Sequence, residues 1–392
     1  MISWPLVLVK IGNVFLGRYA ETKEKGDFKI LIVRFRRRNE STPSVGIGDL
    51  VLLTPFLRML QTVYPNCKVD FVVSPYQSSL FENCPYLHRI IEYEYTNFYS
   101  MLRLTRELRK NNYNLLFFPR YGLSKWFVNL FCYLTQAKKR ITYSEHVSVL
   151  KESRQKDYDL LFTHTYIDKS VVHEACRYPK LIYFEQNKLE SFPESVGKLE
   201  LWPSQKDQDF ADRVISGLHK RVLIVLGISA RSNRRKWPMD SWKQFMESII
   251  TKVPNCTFVI MGGADAVHDA QELTNKFPKN VLDLTGSMSY LETYSIMKRC
   301  NLYCGNDSGG IHIAAAAGLS CIEISCHPLT GSSSHSNAPE RFSPYGVRCL
   351  IMRPNKPAEE KCIYGCVMEE HHCIKQVQPK EVVEGALSML NI

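Results

Sequence analysis

The sequence predicts an α/β protein made of two doubly wound parallel sheets. Three observations predict it. The chain has 392 residues, whereas single hydrophobic cores stop growing at about 250–300 residues. Two separate series of short, β-branched apolar runs alternate with helical patterns. Glycines stand at the ends of the second series' strands, where ligands bind in open α/β sheets. Apolar residues make up 45% and charged residues 23% of the chain, which excludes a disordered, collagenous or coiled-coil protein.

Residues 29–35 (KILIVRF) read as a buried parallel strand. The polar stretch 36–44 leads to Gly46-Ile-Gly48-Asp49 and then to a helix with Leu50, Leu53, Leu57 and Leu60 at helical spacing. Residues 68–75 (KVDFVVSP) form a second strand and 114–118 (NLLFF) a later one. Residues 144–218 are more polar and less periodic. The second series has strands over 222–229, 256–263, 280–286, 301–307 and 320–325. Its helices cover 239–250, 289–298 and the Gly- and Ala-rich 309–318. The join falls near residues 204–220, which gives an amphipathic extension over 1–28 and domains over 29–210 and 211–392, the latter with a Cys-containing tail.

With 50 Lys+Arg against 39 Asp+Glu the net charge is +11, which suits acidic partners: nucleotide phosphates, a phosphorylated glycan or an anionic membrane face. No Cys/His finger, helix-turn-helix or aromatic RNA-binding signature supports a nucleic-acid partner. No window reaches the ~18 apolar residues of a membrane-spanning helix, and no secretory cleavage site follows the first apolar stretch. The 13 cysteines are too sparse for a disulfide scaffold, so a reducing, cytoplasmic setting is expected. Leu6, Val7, Val9, Val14, Phe15 and Leu16 suit either an interfacial helix on the inner membrane or a segment packed on a domain.

Four constellations carry chemistry. In Gly305-Asn-Asp307-Ser308-Gly309-Gly310-Ile-His312 a strand ends and a helix begins, so exposed N–H groups form an anion site. Ser308 can cap that helix or donate its hydroxyl, and His312 lies on its first turn. The alternative is a capped helix packed on a sheet by its alanines. Gly227-Ile-Ser229 leads into a loop carrying Arg231, Arg234, Arg235 and Lys236, which either closes on a diphosphate or is a solvated basic loop. Gly48-Asp49 at a strand-to-helix turn offers a carboxylate that is either a cap or a proton acceptor. Cys362, Cys366 and Cys373, with His371 and His372 between them, match no recognised zinc-finger spacing, although Cys349 could complete four ligands. No metal residue is assigned, either there or at the poorly placed Asp157-Tyr-Asp159.

Residues 29–34, 48–55, Lys236-Trp-Pro238, 283–286 and 305–312, in that order over nearly the whole chain, resemble the lipopolysaccharide heptosyltransferases of glycosyltransferase family nine. The tail from Cys373 is similar to family members as well. The resemblance implies a GT-B fold of two Rossmann-like domains facing a cleft, and an inverting, metal-independent transfer with no cofactor beyond a nucleotide-sugar, ADP-heptose being one candidate. It implies Asp49 as general base, with Lys236 on the departing diphosphate. Gly262, Gly263, Asp307, Ser308, Gly309, Gly310 and His312 would hold the donor, joined by Gly227 and Ser229 at the end of the preceding strand. Gly48, Arg36 and Arg120 are candidates to contact an anionic glycan or glycolipid acceptor. Gly310 stands where the family usually has proline. Two other functions share the architecture: a sugar-nucleotide epimerase, and a catalytically silent sugar-nucleotide binder.

Overall fold

The apolar runs become the middle strands of two sheets, because a parallel sheet covered on both faces buries every side chain of its centre. A computed structural model describes residues 4–6, 27–38, 46–218 and 221–392. The expected amphipathic extension therefore lies outside the described residues except for Trp4–Leu6, Asp27 and Phe28, and so does most of the polar stretch before Gly46.

The first sheet contains β1 (Lys29–Arg34), β2 (Lys68–Val73), β3 (Arg89–Glu92), β4 (Leu115–Phe118), β5 (Lys139–Tyr143) and β6 (His164–Tyr166). Its spatial order is β3-β2-β1-β4-β5-β6, with parallel pairs throughout. The second contains β7 (Val222–Gly227), β8 (Cys256–Ile260), β9 (Val281–Asp283), β10 (Leu302–Asn306), β11 (Cys321–Ile324) and β12 (Cys349–Met352). Its order, β12-β11-β10-β7-β8-β9, is the same doubly wound sequence. Each sheet reverses direction of winding between its first and fourth strands, β1/β4 and β7/β10, and a crevice opens there beyond the strand ends.

By compactness the chain divides into two units. One comprises Met1–Gly46, Pro55–Ser170 and Cys176–Val196; the other comprises Ile47–Thr54, Val171–Ala175 and Gly197–Ile392. The join expected near residue 210 falls inside the helix Gln205–Ile215. The single helix expected after Gly46 is instead two, Ile47–Val51 and Thr54–Val63. Pro55 has no N–H to give and its ring excludes the carbonyl of the preceding turn. Thr54 Oγ1 donates instead to Val51 O at 2.8 Å. The break coincides with the point where the chain passes from one unit to the other.

Capping residues set the helix starts. Ser289 and Glu292 exchange side-chain and backbone bonds at the head of Tyr290–Met297, a reciprocal capping box. The last helix, Pro379–Leu390, ends on Asn391 in the left-handed region and packs on Met239–Lys252.

Within the first unit, Asp70 of β2 is buried and accepts from Tyr113 Oη at 2.5 Å and Arg89 Nη2 at 2.8 Å. Asp70→Ala strands the Tyr113 hydroxyl and should lower stability by about 2–3 kcal/mol in urea unfolding, since Arg89 itself stays partly solvated.

Candidate active site

The switch point of the second sheet brings together the loop after β7 and the turn after β10. Asn306, fully buried at the end of β10, connects them. Its Nδ2 donates to Ile228 O at 2.7 Å, and its Oδ1 accepts from Trp237 N at 3.0 Å. One amide thus holds both ends of the basic loop. Trp237 is buried against Trp242, and its indole N–H donates to Val377 O at 3.0 Å.

The cations are arranged unequally. Arg235 Nη1 lies 3.3 Å from Asp307 Oδ2, and its Nη2 donates to Asn337 Oδ1. Lys236 Nζ lies 3.9 Å from Asp269 Oδ2, on the helix Val267–Lys276 that follows β8. Arg234 is tied to the C-terminal tail, its N–H donating to Glu369 O at 3.1 Å. Arg235, which the expected site omitted, is the loop cation paired with Asp307.

Glycines allow the strand ends to close over a buried phenol. A Cβ at Gly227 would lie 1.9 Å from Tyr303 Oη, one at Gly305 2.7 Å, and one at Gly310 3.0 Å. Burial pushes the Tyr303 phenol well above its usual range. At the end of β8, a Cβ at Gly262 would meet Ala266 at 2.7 Å and Ser229 Oγ at 3.3 Å, while Gly263 turns into the short helix Ala264–Ala266. Ser308 occupies the N-cap position of Gly309–Ala316, but its side chain makes no capping bond among the described residues. The capping role read from the sequence belongs to its backbone alone, and the first-turn amides keep their capacity for an anion.

His312 is buried, and its Nδ1 has no hydrogen-bond partner among the described residues. Burial pushes its imidazole down to about 4, with His173 adding to the effect and Asp307 and Asp49 opposing it. The ring is therefore neutral at physiological pH, and Nδ1 can serve an uncharged partner. Gly48 explains how Asp49 enters this group: a Cβ there would lie 2.4 Å from His312 Cδ2, so only glycine lets Ile47–Val51 approach Gly309–Ala316 so closely. Gly48 is buried by that approach, and Asp49 beside it is half-buried. The carboxylate expected from the first domain belongs, by compactness, to the second unit. His173 Nε2 is 2.8 Å from Ser343 O, and neighbouring Glu174 takes a buried pair from Arg341 at 2.6 Å, which fixes Val171–Ala175 to the same unit.

In the first unit, Arg36 and Arg120 follow β1 and β4 at that sheet's own switch point. Arg36 stacks 4.0 Å over Tyr76 and pairs with Glu94 at 3.0 Å, while Arg120 Nε donates to Leu123 O at 3.0 Å. Asp159 is occupied by Ser144 Oγ and Glu145 N, and Asp157 takes a left-handed turn, so the Asp-x-Asp pair shapes a loop. Of the tail cysteines, Cys362, Cys366 and Cys373 come together with His372, while Cys349, which could have completed four ligands, lies on β12 outside that group.

Two doubly wound six-stranded sheets, the second carrying a cationic loop and a helix N-terminus at its switch point, give the GT-B fold. The chain belongs to glycosyltransferase family 9, the heptosyltransferase family, whose pattern residues 101–372 match. It is similar to lipooligosaccharide heptosyltransferase 2 of Campylobacter jejuni, 21% identical over 355 residues, which is 88% of this chain and 95% of the relative. Among solved structures it resembles a family 9 glycosyltransferase of Veillonella parvula, with TM-score 0.74, 16% identity, and coverage of 94% of this chain and 99% of the other. It also resembles the E. coli ADP-heptose lps heptosyltransferase II, with TM-score 0.71, 18% identity and coverage of 93% and 99%.

Asn306→Ala leaves the Trp237 N–H and Ile228 C=O without their side-chain partner. It should cost about 1–3 kcal/mol in equilibrium unfolding and speed amide exchange at Trp237. The titration of His312 makes a second prediction. Its folded value, about 4, lies below the unfolded 6.5, so the unfolded chain takes the proton first and stability, intact above 6.5, falls as pH drops toward 4. His312→Gln should make that part of the stability curve shallower, as measured by urea titrations across this window.

Proposed function

We propose that the protein is an inverting, metal-independent glycosyltransferase that moves heptose, or a related sugar, from a nucleotide-sugar to a lipopolysaccharide-core or other cell-surface glycan. The arrangement at the β7/β10 switch point carries this reading: Arg235 pairs with Asp307 at the Gly309 helix terminus, Lys236 follows it in the same loop, and Gly48, next to Asp49, packs onto that helix. The kinship with an ADP-heptose lps heptosyltransferase and with lipooligosaccharide heptosyltransferases supports ADP-heptose as donor and a lipooligosaccharide as acceptor.

In this reaction an acceptor hydroxyl oxygen attacks the anomeric carbon from the face opposite the diphosphate. The new C–O bond forms as the bond from that carbon to the diphosphate oxygen breaks, so configuration inverts. Asp49 takes the hydroxyl proton, help that is typically worth about 10²–10⁴ in rate. Negative charge grows on the leaving diphosphate and is balanced by Lys236, Arg235 and the N–H groups at Gly309 and Gly310. One preorganised donor of this kind typically contributes about 10²–10³. Neutral His312 hydrogen-bonds the donor through Nδ1.

No helix among the described residues is long and apolar enough to cross a membrane. A lipooligosaccharide acceptor is held in a membrane, so this reading puts the enzyme at the cytoplasmic face of the inner membrane. Trp126, Val149 and Leu150 of the first unit are exposed and would supply apolar contact there.

Asp49→Asn should bind ADP as the parent does and lose about 10²–10⁴ in transfer rate, as read by calorimetry and by mass spectrometry of the acceptor. Lys236→Ala should weaken ADP binding in the same titration. Undiminished turnover by Asp49→Asn would remove that carboxylate from the mechanism.

A further inference from the structure

Three thiols and one imidazole converge in the C-terminal tail of the second unit. The Sγ atoms of Cys362, Cys366 and Cys373 and a ring nitrogen of His372 all lie within 4.8 Å of one another. His372 Nδ1 is 3.4 Å from Cys373 Sγ and 4.0 Å from Cys362 Sγ. Tetrahedral zinc with Zn–S of about 2.3 Å and Zn–N of about 2.0 Å sets its ligand atoms roughly 3.5–3.8 Å apart. The observed separations bracket that spacing, and the three thiols are each 1% exposed or less.

A second observation concerns the other side of the imidazole. His372 Nε2 lies 3.1 Å from Glu359 Oε1. A ligating histidine usually gives its second ring N–H to a carboxylate, which fixes the tautomer and aims the remaining nitrogen at the metal. Here that aims Nδ1 at the thiols. The loop between the first two cysteines is shaped for a tight knuckle as well: Gly365 has φ +152°, and a Cβ on it would lie 2.8 Å from the His335 ring.

We propose that Cys362, Cys366, His372 and Cys373 bind one Zn²⁺ as a closed structural site that clamps the tail against the basic loop. Three thiolates and an imidazole are a zinc donor set, and four protein ligands leave no open position for catalysis. The clamp follows from what the knuckle touches. Between the ligands, Glu369 O accepts from Arg234 N at 3.1 Å, and Glu370 Oε1 accepts from Asn233 Nδ2 at 3.1 Å. Just beyond them, Val377 O accepts from the Trp237 indole. Binding releases the thiol protons to solvent as the thiolates ligate. This inference does not depend on the transfer reaction proposed above.

The test uses the full chain, purified without chelator. Inductively coupled plasma mass spectrometry should find one zinc per chain, and Cys366→Ser and His372→Gln should lose most of it. His372→Cys should keep the metal as a four-cysteine site, which separates ligation from folding. Cobalt added to the stripped protein should give the intense visible bands of tetrahedral coordination and a thiolate charge-transfer band. Amide exchange across residues 231–237 should quicken several-fold when the metal is stripped. A chain that holds no zinc and takes up neither zinc nor cobalt at stoichiometry overturns the site, as does a native disulfide among these cysteines. Stoichiometric iron overturns the zinc assignment, and unchanged exchange over 231–237 overturns the clamp.

Discussion

The second unit is organised around the Asn306 side chain. A loop that carries Arg231, Arg234, Arg235 and Lys236 repels itself and, left in solvent, samples many conformations. Two hydrogen bonds from one buried amide bring its beginning, at Ile228, and its end, at Trp237, to the tip of β10. A buried amide that satisfies two main-chain groups at once is costly to replace, because either loss leaves a polar group desolvated. Arg235 is thereby held against Asp307, just before the Gly309 terminus.

The second constraint is backbone approach. Gly48 permits Ile47–Val51 to lie on Gly309–Ala316, and Pro55 then breaks the helix so that the chain can leave again. A segment that interrupts the first unit in sequence is thus part of the second unit in space. Asp49 and His312, far apart in the chain, come to share one electrostatic environment. His312 stays uncharged because burial outweighs two nearby carboxylates.

Much of this was legible in the sequence, and the exceptions have physical causes. Central strands such as β1, β7 and β10 announce themselves because both faces are buried and the run is apolar throughout. The edge strands β3, β6 and β12 do not: RIIE, HTY and CLIM are short and partly solvated, and their pairing is set by the sheet rather than by their own composition. The Gly-Asn-Asp-Ser-Gly-Gly segment was legible as a strand-to-helix turn, but nothing local marked Asn306 as the residue holding a loop 69 positions away. Spacing could not single out His372 over His371 beside Cys373, since the choice rests on the direction of one ring and on Glu359. Arg36 shows the opposite limit. It lies where an acceptor contact was expected, already stacked on Tyr76 and paired with Glu94, neither of them close in sequence.

Tyr303 lies beneath three main-chain segments, at Gly227, Gly305 and Gly310, with its hydroxyl where their missing side chains would be. Gly227 and Gly305 exclude a Cβ for reasons of volume, whatever occupies the crevice above them, whereas the looser 3.0 Å approach at Gly310 leaves room for adjustment. A tolerance map of the protein will therefore score the first two as inviolable, and that score carries no information about which atoms meet a ligand. Asp307 is different, because its carboxylate pairs with Arg235 at 3.3 Å, so intolerance there speaks for charge rather than for volume.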